Sequence, residues 1–426
     1  MSVVIPTYDG RPMLEACLRG LRAQTLPGDA YEVVIVDNGS EDGTQAWLRA
    51  EDPDVVVVRL DQNLGFAEAT NRGAAAARGT SLVLLNNDAV AEPRFLEALE
   101  RAAAVEPAPA AVAGRILDSE GSAVEFGGSD IGGFGFGFQR SSWQEGFAEC
   151  ADGGEVPFAC GGAMLVRRAD FLELGGFDPD YFAYYEDVDL GWRLWLSGRR
   201  VVYARGAEAR HQRHGTGRRF SDRWRHFHWY KNALQTLVKN AEEPYLSRLF
   251  PIALALVQSR IRDFYAESAA AADRGDERSA RRALEIAIGA AEGVTWALTR
   301  ADLLLEKRGR VQALRCVGDR VLSEKFGFRI DGGPEAAWSE SGLALQLLPL
   351  FDVSGLLRAG QLDAAMSERL HALRCGSNGS GVAALQAESA RLQHDLDCLR
   401  GSWSWRLTAP LRWLGGALRG HGRSGS

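Results

Sequence analysis

Five stretches of the chain place acids, amides or basic groups where an apolar run stops, and those are positions where chemistry can be done. Val33–Thr44 reads VVIVDNGSEDGT, an apolar strand pattern ending in Asp37. A carboxylate there can accept hydrogen bonds from a nucleotide base or ribose. Asn38, Ser40 and Asp42 are equally good turn and helix N-cap residues. In Leu60–Gly73, Asn63 and Asn71 offer amides to a sugar or phosphate, and Gly65 permits close backbone approach. A strand-to-helix turn accounts for the same residues. Leu82–Ala89 reads LVLLNNDA and runs straight into Asn86, Asn87 and Asp88. A strand-end carboxylate beside amides suits Mg²⁺ or Mn²⁺ holding a diphosphate, or an ordinary turn.

The fourth stretch, Phe177–Trp195, puts Glu186, Asp187 and Asp189 after the aromatics Tyr181, Phe182, Tyr184 and Tyr185, at the start of an amphipathic helix. Acids at a helix N-terminus are favourable for the dipole alone. A carboxylate walled by aromatics also suits a general base facing a sugar hydroxyl. Arg193 can pair with Asp189 at i,i+4. The fifth stretch, Arg205–Lys231, carries eight Lys/Arg against two acids, and four of the seven histidines: His211, His214, His226 and His228. That composition suits a phosphate leaving group and a metal ligand, or a solvated face.

The elements that position these residues follow from periodicity. Ser2–Ile5, Glu32–Val36, Val55–Leu60 and Ser81–Leu85 read as strands, and Arg11–Gln24, a start at Gly43–Leu48, and Ala67–Ala77 as helices between them. This alternation predicts an α/β fold, a mostly parallel Rossmann-like sheet with helices on both faces. Ligands on such sheets bind beyond the strands' carboxyl ends. The glycine-rich Gly127–Phe138 reads as a loop or edge hairpin with exposed aromatics. Met164–Val166 reads as a strand, Val188–Ser197 as a helix, and Val201–Ala204 as the last short strand. From Ser221 the pattern is helical, with Trp224, Phe227, Tyr230, Leu234 and Leu237 on one stripe. Further helices are expected over Ile252–Ala272, Ala280–Glu306 and Val311–Val321. GSNGSG at Gly376–Gly381 reads as a flexible linker. The tail Ser402–Leu414, with three tryptophans and two arginines, reads as a packing segment or as a peripheral membrane or partner-enzyme contact.

Composition narrows the class. The 426 residues are 46% apolar and 25% charged, which is ordinary for globular domains. A net charge of −7 speaks against nucleic acid as partner. Six scattered cysteines without a CxxC pair read as reduced thiols. No basic leader precedes MSVVIPTY and no apolar run approaches a spanning length, so a cytoplasmic location is expected, at most peripheral at the inner face of the plasma membrane.

Taken together, VVIPTYDG, VDNGSEDGT, DQNLGFAEATNRG, LLNNDA, CGGAMLVRR, GGFDPDYFAYYEDVDLGWR and HQRHGTG resemble, in this order, the motifs of family 2 glycosyltransferases with a GT-A fold. The likeness is to the bacterial rhamnosyltransferase-like branch and runs over residues 1–240. It implies a catalytic domain over 1–220; periodicity and composition divide the rest into a helical extension over 221–330, a mixed region over 331–380, and a short helix with the Trp/Arg-rich tail over 381–426. It implies an inverting enzyme of bacterial surface-polysaccharide synthesis. The donor would be a nucleoside-diphosphate sugar, of dTDP-rhamnose type, and the acceptor a hydroxyl of a glycan or lipid-linked glycan.

By the same resemblance, Pro6, Thr7 and Tyr8 would shape the base pocket and Asp37 would contact base or ribose. Asn63, Gly65 and Asn71 would line donor sugar and phosphates. Asp88, with Asn87 beside it, would bind a divalent metal (Mn²⁺ or Mg²⁺), with His211 as second ligand and His214 as its alternative. Asp187 would be the catalytic base and Glu186 an acceptor-hydroxyl contact. Gly161, Gly162 and Trp192 would face the acceptor. Two departures stand out: Asp9 sits where the family often has Asn, and Asn-Asn-Asp carries one carboxylate where other GT-A enzymes have two.

Competing classes are weaker. A dehydrogenase wants GxGxxG after the first strand, where this chain has PTYDGRPM. A nucleotidylyltransferase wants a glycine-rich basic loop there, and Arg11 alone does not supply it. The non-enzyme alternative is a catalytically weak nucleotide-sugar-binding subunit or scaffold of a glycan-assembly complex.

Overall fold

The computed structural model describes residues 1–144, 147–212, 220–243 and 245–328. His214, the region 331–380, the linker and the Trp/Arg-rich tail lie outside the described residues. The first half alternates as the periodicity predicts: β1 (Ser2–Thr7), α1 (Arg11–Arg22), β2 (Glu32–Asp37), α2 (Thr44–Glu51), β3 (Val56–Arg59), α3 (Gly65–Ala76) and β4 (Ser81–Leu85). Then come β5 (Ala89–Ala91), α4 (Phe95–Ala103), β6 (Ala111–Asp118), β7 (Val124–Phe126), β8 (Ser129–Ile131), β9 (Gly137–Gln139), β10 (Ala163–Arg167), α5 (Arg168–Glu173), α6 (Glu186–Leu196) and β11 (Val201–His211). Helices follow: α7 (Asp222–Asn240), α8 (Tyr245–Asp273), α9 (Glu277–Thr299), α10 (Ala301–Ala313) and α11 (Asp319–Phe326).

The central sheet runs β3-β2-β1-β4-β10-β6-β11-β5, with β7 on β6. β3, β2, β1 and β4 are parallel; β2, β1 and β4 carry runs of buried Val, Ile and Leu because both their faces are covered, while the edge strand β3 is half-buried. Register levels Thr7 with Asp37 and Asp37 with Arg59, so three strands present their ends on one line. Chain order reverses between β1 and β4, the place where an open α/β sheet leaves a crevice. Beyond β4 the sheet is mixed: β10 is antiparallel to β4 and β6, while β11 is parallel to β6.

Four expectations change, one of them the helix over Val311–Val321, which is instead the end of α10 and the start of α11 with a non-helical link between them. The last strand does not stop at Ala204 but shifts register between Ala204 and Glu208 and continues to His211. It is long because it is paired on both sides, with β6 and with β5, so its extra residues gain a second ladder. The aromatics of Gly127–Phe138 are not exposed: β8 and β9 form the hairpin, but Phe134, Phe136 and Phe138 are buried. Phe136 sits edge-on to Tyr185 and Tyr230, beneath α6 and α7. The single helix expected over Ala280–Glu306 is two, broken at Arg300. There the Thr299 hydroxyl bonds back to the carbonyls of Thr295 and Trp296, the local competition that weakens a helix end.

The helical extension packs tightly on itself. A side chain at Gly289 of α9 would meet the Arg223 carbonyl at 2.2 Å, so glycine there lets α7 and α9 approach backbone to backbone. No helix among the described residues is long and apolar enough to cross a membrane.

Candidate active site

At the crevice, Asn87 donates its amide to the Thr7 hydroxyl (2.9 Å), joining the ends of β4 and β1. Pro6 lies buried on β1 beside Val36, and Tyr8 is half-buried just past the strand end. Asp37 is fully buried; it accepts from the Ser40 amide (2.9 Å) and from Arg59 (2.5 Å). Asn63 accepts from Asn38 and from the Gly65 amide (2.9 Å each), which folds the turn into α3. Gly65 has φ +86°, and a side chain there would meet the Phe182 carbonyl at 2.5 Å. Only glycine brings α3's N-terminus that close to the 182–185 loop.

The next group is acidic and imidazole. Register sets His211 opposite Ala89, beside Asp88. His211 Nε2 lies 3.3 Å from Asp88 Oδ1, and its Nδ1 lies 2.8 Å from Glu125 Oε2. Burial works against a charged imidazole here, but hydrogen bonds and charge from Asp88 and Glu125 outweigh it and push the pKa up to about 10. A carboxylate and an imidazole, with a second carboxylate on the imidazole's far nitrogen, is a donor set that fits a divalent cation. Among the described residues no cluster of three or more such side chains stands ready to hold one. Asp88 and His211 would be completed by diphosphate oxygens and water, as magnesium and manganese sites on phosphates commonly are.

Glu125 was missed in sequence reasoning. The available signal was a lone acid between Val124 and Phe126 in a buried strand, since buried charge needs a partner.

The third group heads α6. The Asp187 carboxylate accepts from the Gly161 amide (3.0 Å) and the Val188 amide (2.8 Å). Gly162, the next residue, accepts from the Asn86 amide (3.0 Å), two residues before Asp88. Consecutive glycines thus tie the turn that carries Asp88 to the α6 carboxylate. Burial raises the Asp187 pKa above the ordinary aspartate value, against those two amides. Glu186 is buried, and burial followed by the charge of Asp187 raises its pKa well above the ordinary range. Its Oε2 meets no hydrogen-bond partner among the described residues. Burial favours the protonated form of both carboxyls, so the two titrate as a pair.

The chain enters α6 through a strained turn. Among the described residues four non-glycines have left-handed backbone, and three of them are Phe182, Tyr184 and Tyr185. Such conformations cost on the order of 1–3 kcal/mol each and persist only when surroundings hold them.

Two expected roles do not fit the geometry. Trp192 is buried on the far side of α6: its indole donates to Asp319 (3.3 Å) and its ring meets Phe328 edge-on. It is a packing residue against α11, because position 192 falls on the face of α6 turned toward the helical extension. Asn71 spends both polar atoms on Phe177, accepting from its amide (2.9 Å) and donating to its carbonyl (2.7 Å). Its amide latches α3 to the segment before the strained turn and is not open to a sugar.

Asp189 and Arg193 do form the expected pair (2.8 Å), fully buried. Lys239 and Asn240 of α7 also bond Asp189 (3.0 Å each).

The family model described as "Glycosyl transferase family 2" matches residues 2–175. The N-acetylglucosaminyl-diphospho-decaprenol L-rhamnosyltransferase of Mycobacterium tuberculosis is 33% identical over 244 residues, covering 51% of this chain and 78% of that protein. The chain belongs to glycosyl transferase family 2. The validoxylamine A glucosyltransferase of Streptomyces hygroscopicus subsp. limoneus is 31% identical over 238 residues, 50% of this chain and 52% of that one. A solved structure of GalNAc-T7 with UDP, GalNAc and Mn²⁺ is similar at a TM-score of 0.46 and 17% identity, covering 60% of this chain and 51% of that chain.

Proposed function

We propose that this protein is an inverting, metal-dependent glycosyltransferase. It moves a sugar, rhamnose by likeness to the mycobacterial relative, from a nucleoside-diphosphate donor to a hydroxyl of a lipid-linked or glycan acceptor in bacterial surface-polysaccharide synthesis. The observation that carries the reading is the pairing of Asn86 with Gly162 and of Asp187 with Gly161. It holds the donor-side turn and a high-pKa carboxylate on two adjacent residues.

In this reading Asp187 removes the proton from the acceptor hydroxyl. That oxygen bonds the anomeric carbon as the bond from that carbon to the diphosphate breaks, inverting the centre. Glu186 hydrogen-bonds the acceptor. Thr7, Tyr8, Asp37, Asn63 and Gly65 shape the donor pocket. A divalent cation at Asp88 and His211, when bound, neutralises charge on the leaving diphosphate.

The test is a donor screen of purified protein with dTDP-, UDP- and GDP-sugars, in Mn²⁺, Mg²⁺ or EDTA. Metal-dependent release of one nucleoside diphosphate, lost in Asp88→Ala, is expected. Donor binding without turnover on any acceptor would favour a binding subunit instead.

A further inference from the structure

One face of α7 is polar yet buried: His228, Lys231, Asn232, Gln235, Thr236, Lys239 and Asn240 are all under 9% exposed. These recur at helical spacing and all turn toward residues 178–189. Such a stripe is costly in a core unless each group has a task. Asn232 is completely buried, and its amide nitrogen contacts three successive parts of the strained turn. It lies 3.1 Å from the Tyr181 carbonyl, 2.9 Å from that of Ala183 and 2.7 Å from that of Tyr184. Its Oδ1 has no hydrogen-bond partner among the described residues. The residue is therefore placed for its donors alone. Support comes from both sides: His228 Nδ1 lies 3.2 Å from the Tyr181 carbonyl, and Thr236 shares a 2.7 Å hydrogen bond with the Tyr181 hydroxyl.

We propose that Asn232 is a positioning residue for the transfer reaction. It collects the carbonyls of Tyr181, Ala183 and Tyr184, holds the left-handed turn closed, and thereby aims Glu186 and Asp187 at the acceptor. The helix that follows the sheet domain is then a working part of the site. The proposal rests on the assignment of Asp187 as base. Unlike Asp187, Asn232 touches neither substrate nor the reacting atoms. Its loss should therefore act on turnover and leave the donor pocket, built on β1 to β4, alone.

The experiment compares Asn232→Leu, which keeps shape and removes both donors, with the parent and with Asp187→Asn, using the full chain. Readouts are kcat, donor KM, donor binding by calorimetry and the melting curve. Asn232→Leu should lower kcat about 10- to 100-fold, in the range that misplacing a reacting group costs, with donor KM and binding within twofold. A kcat within twofold of the parent overturns the proposal. So does a uniform loss in which donor binding falls along with kcat, because that is general loosening. If Asn232→Leu does not fold, Thr236→Val, which removes the anchor of Tyr181, is judged by the same split. Its kcat should fall at least threefold, and an unchanged kcat overturns the proposal. Full turnover in Asp187→Asn would instead remove the base assignment. An inactive Asp187→Asn with an active Asn232→Leu would remove the clamp alone.

Discussion

The Gly161 amide donates to the Asp187 carboxylate at 3.0 Å, and that bond joins a turn before β10 to the first residues of α6. The two are 26 residues apart in sequence, yet they fix the direction of the proposed base.

Asp187→Asn keeps size and removes the ability to take a proton. General-base catalysis supplies about 10²–10⁴-fold, so kcat should fall by that factor while donor binding stays. Steady-state kinetics with donor titration checks this, and an Asp187→Asn enzyme with parental turnover would sink the assignment.

The pH profile should carry the same group. Burial holds the Asp187 pKa above the ordinary aspartate value of 3.8. A base works only when ionised, so kcat should drop as pH falls through that raised value. The acidic limb should therefore lie above the ordinary aspartate value. The neighbouring Glu186 titrates with it, so the measured value belongs to the pair. A limb at or below 3.8 would contradict the buried environment.

Metal removal should abolish transfer, and added Mn²⁺ or Mg²⁺ should restore it. Glu125→Gln leaves Asp88 and His211 in place but weakens the anchor on His211 Nδ1. Outer partners of this kind typically contribute about 10–100-fold in metal affinity, so half-activation should need that much more metal. An unchanged metal titration would show that Glu125 has no part in the site.

Arg193→Met should destabilise the fold. Asp189 would keep Lys239 and Asn240 but lose a buried, hydrogen-bonded partner. Leaving a buried charge wholly unpaired costs about 3–5 kcal/mol; with Lys239 still in place the loss should be smaller than that, and a urea melt reads it directly. In the parent, burial works to raise the Asp189 pKa, but the charges of Arg193 and Lys239 overcome it and hold it below the ordinary value. Its contribution is thus present above the unfolded-state pKa and lost as pH falls through the folded one.

Gly65→Ala places a side chain at φ +86° and within 2.5 Å of the Phe182 carbonyl. The left-handed backbone alone costs about 1–2 kcal/mol. The Phe182 turn must also shift, so both melting temperature and kcat should fall. A variant with parental kcat would show that the turn tolerates displacement.

The amino-acid sequence by itself determined the alternating half of the fold and the strand ends. Apolar runs such as Val33–Val36 and Leu82–Leu85 admit little else, and the polar residues that follow them must leave the sheet at its edge. Asp37, Asn87 and Asp88 were legible for that reason, and Glu186 and Asp187 as acids opening an amphipathic helix. The tertiary structure alone decided which of these meet. It extended β11 to carry His211 back to Asp88 and added Glu125 from β7. It also turned Trp192 and Asn71 to packing and latching work. Least visible of all was the polar stripe of α7. Local periodicity marks a helix's apolar face, whereas the value of a buried Asn232 or Lys239 depends on carbonyls and carboxylates that arrive from distant parts of the chain.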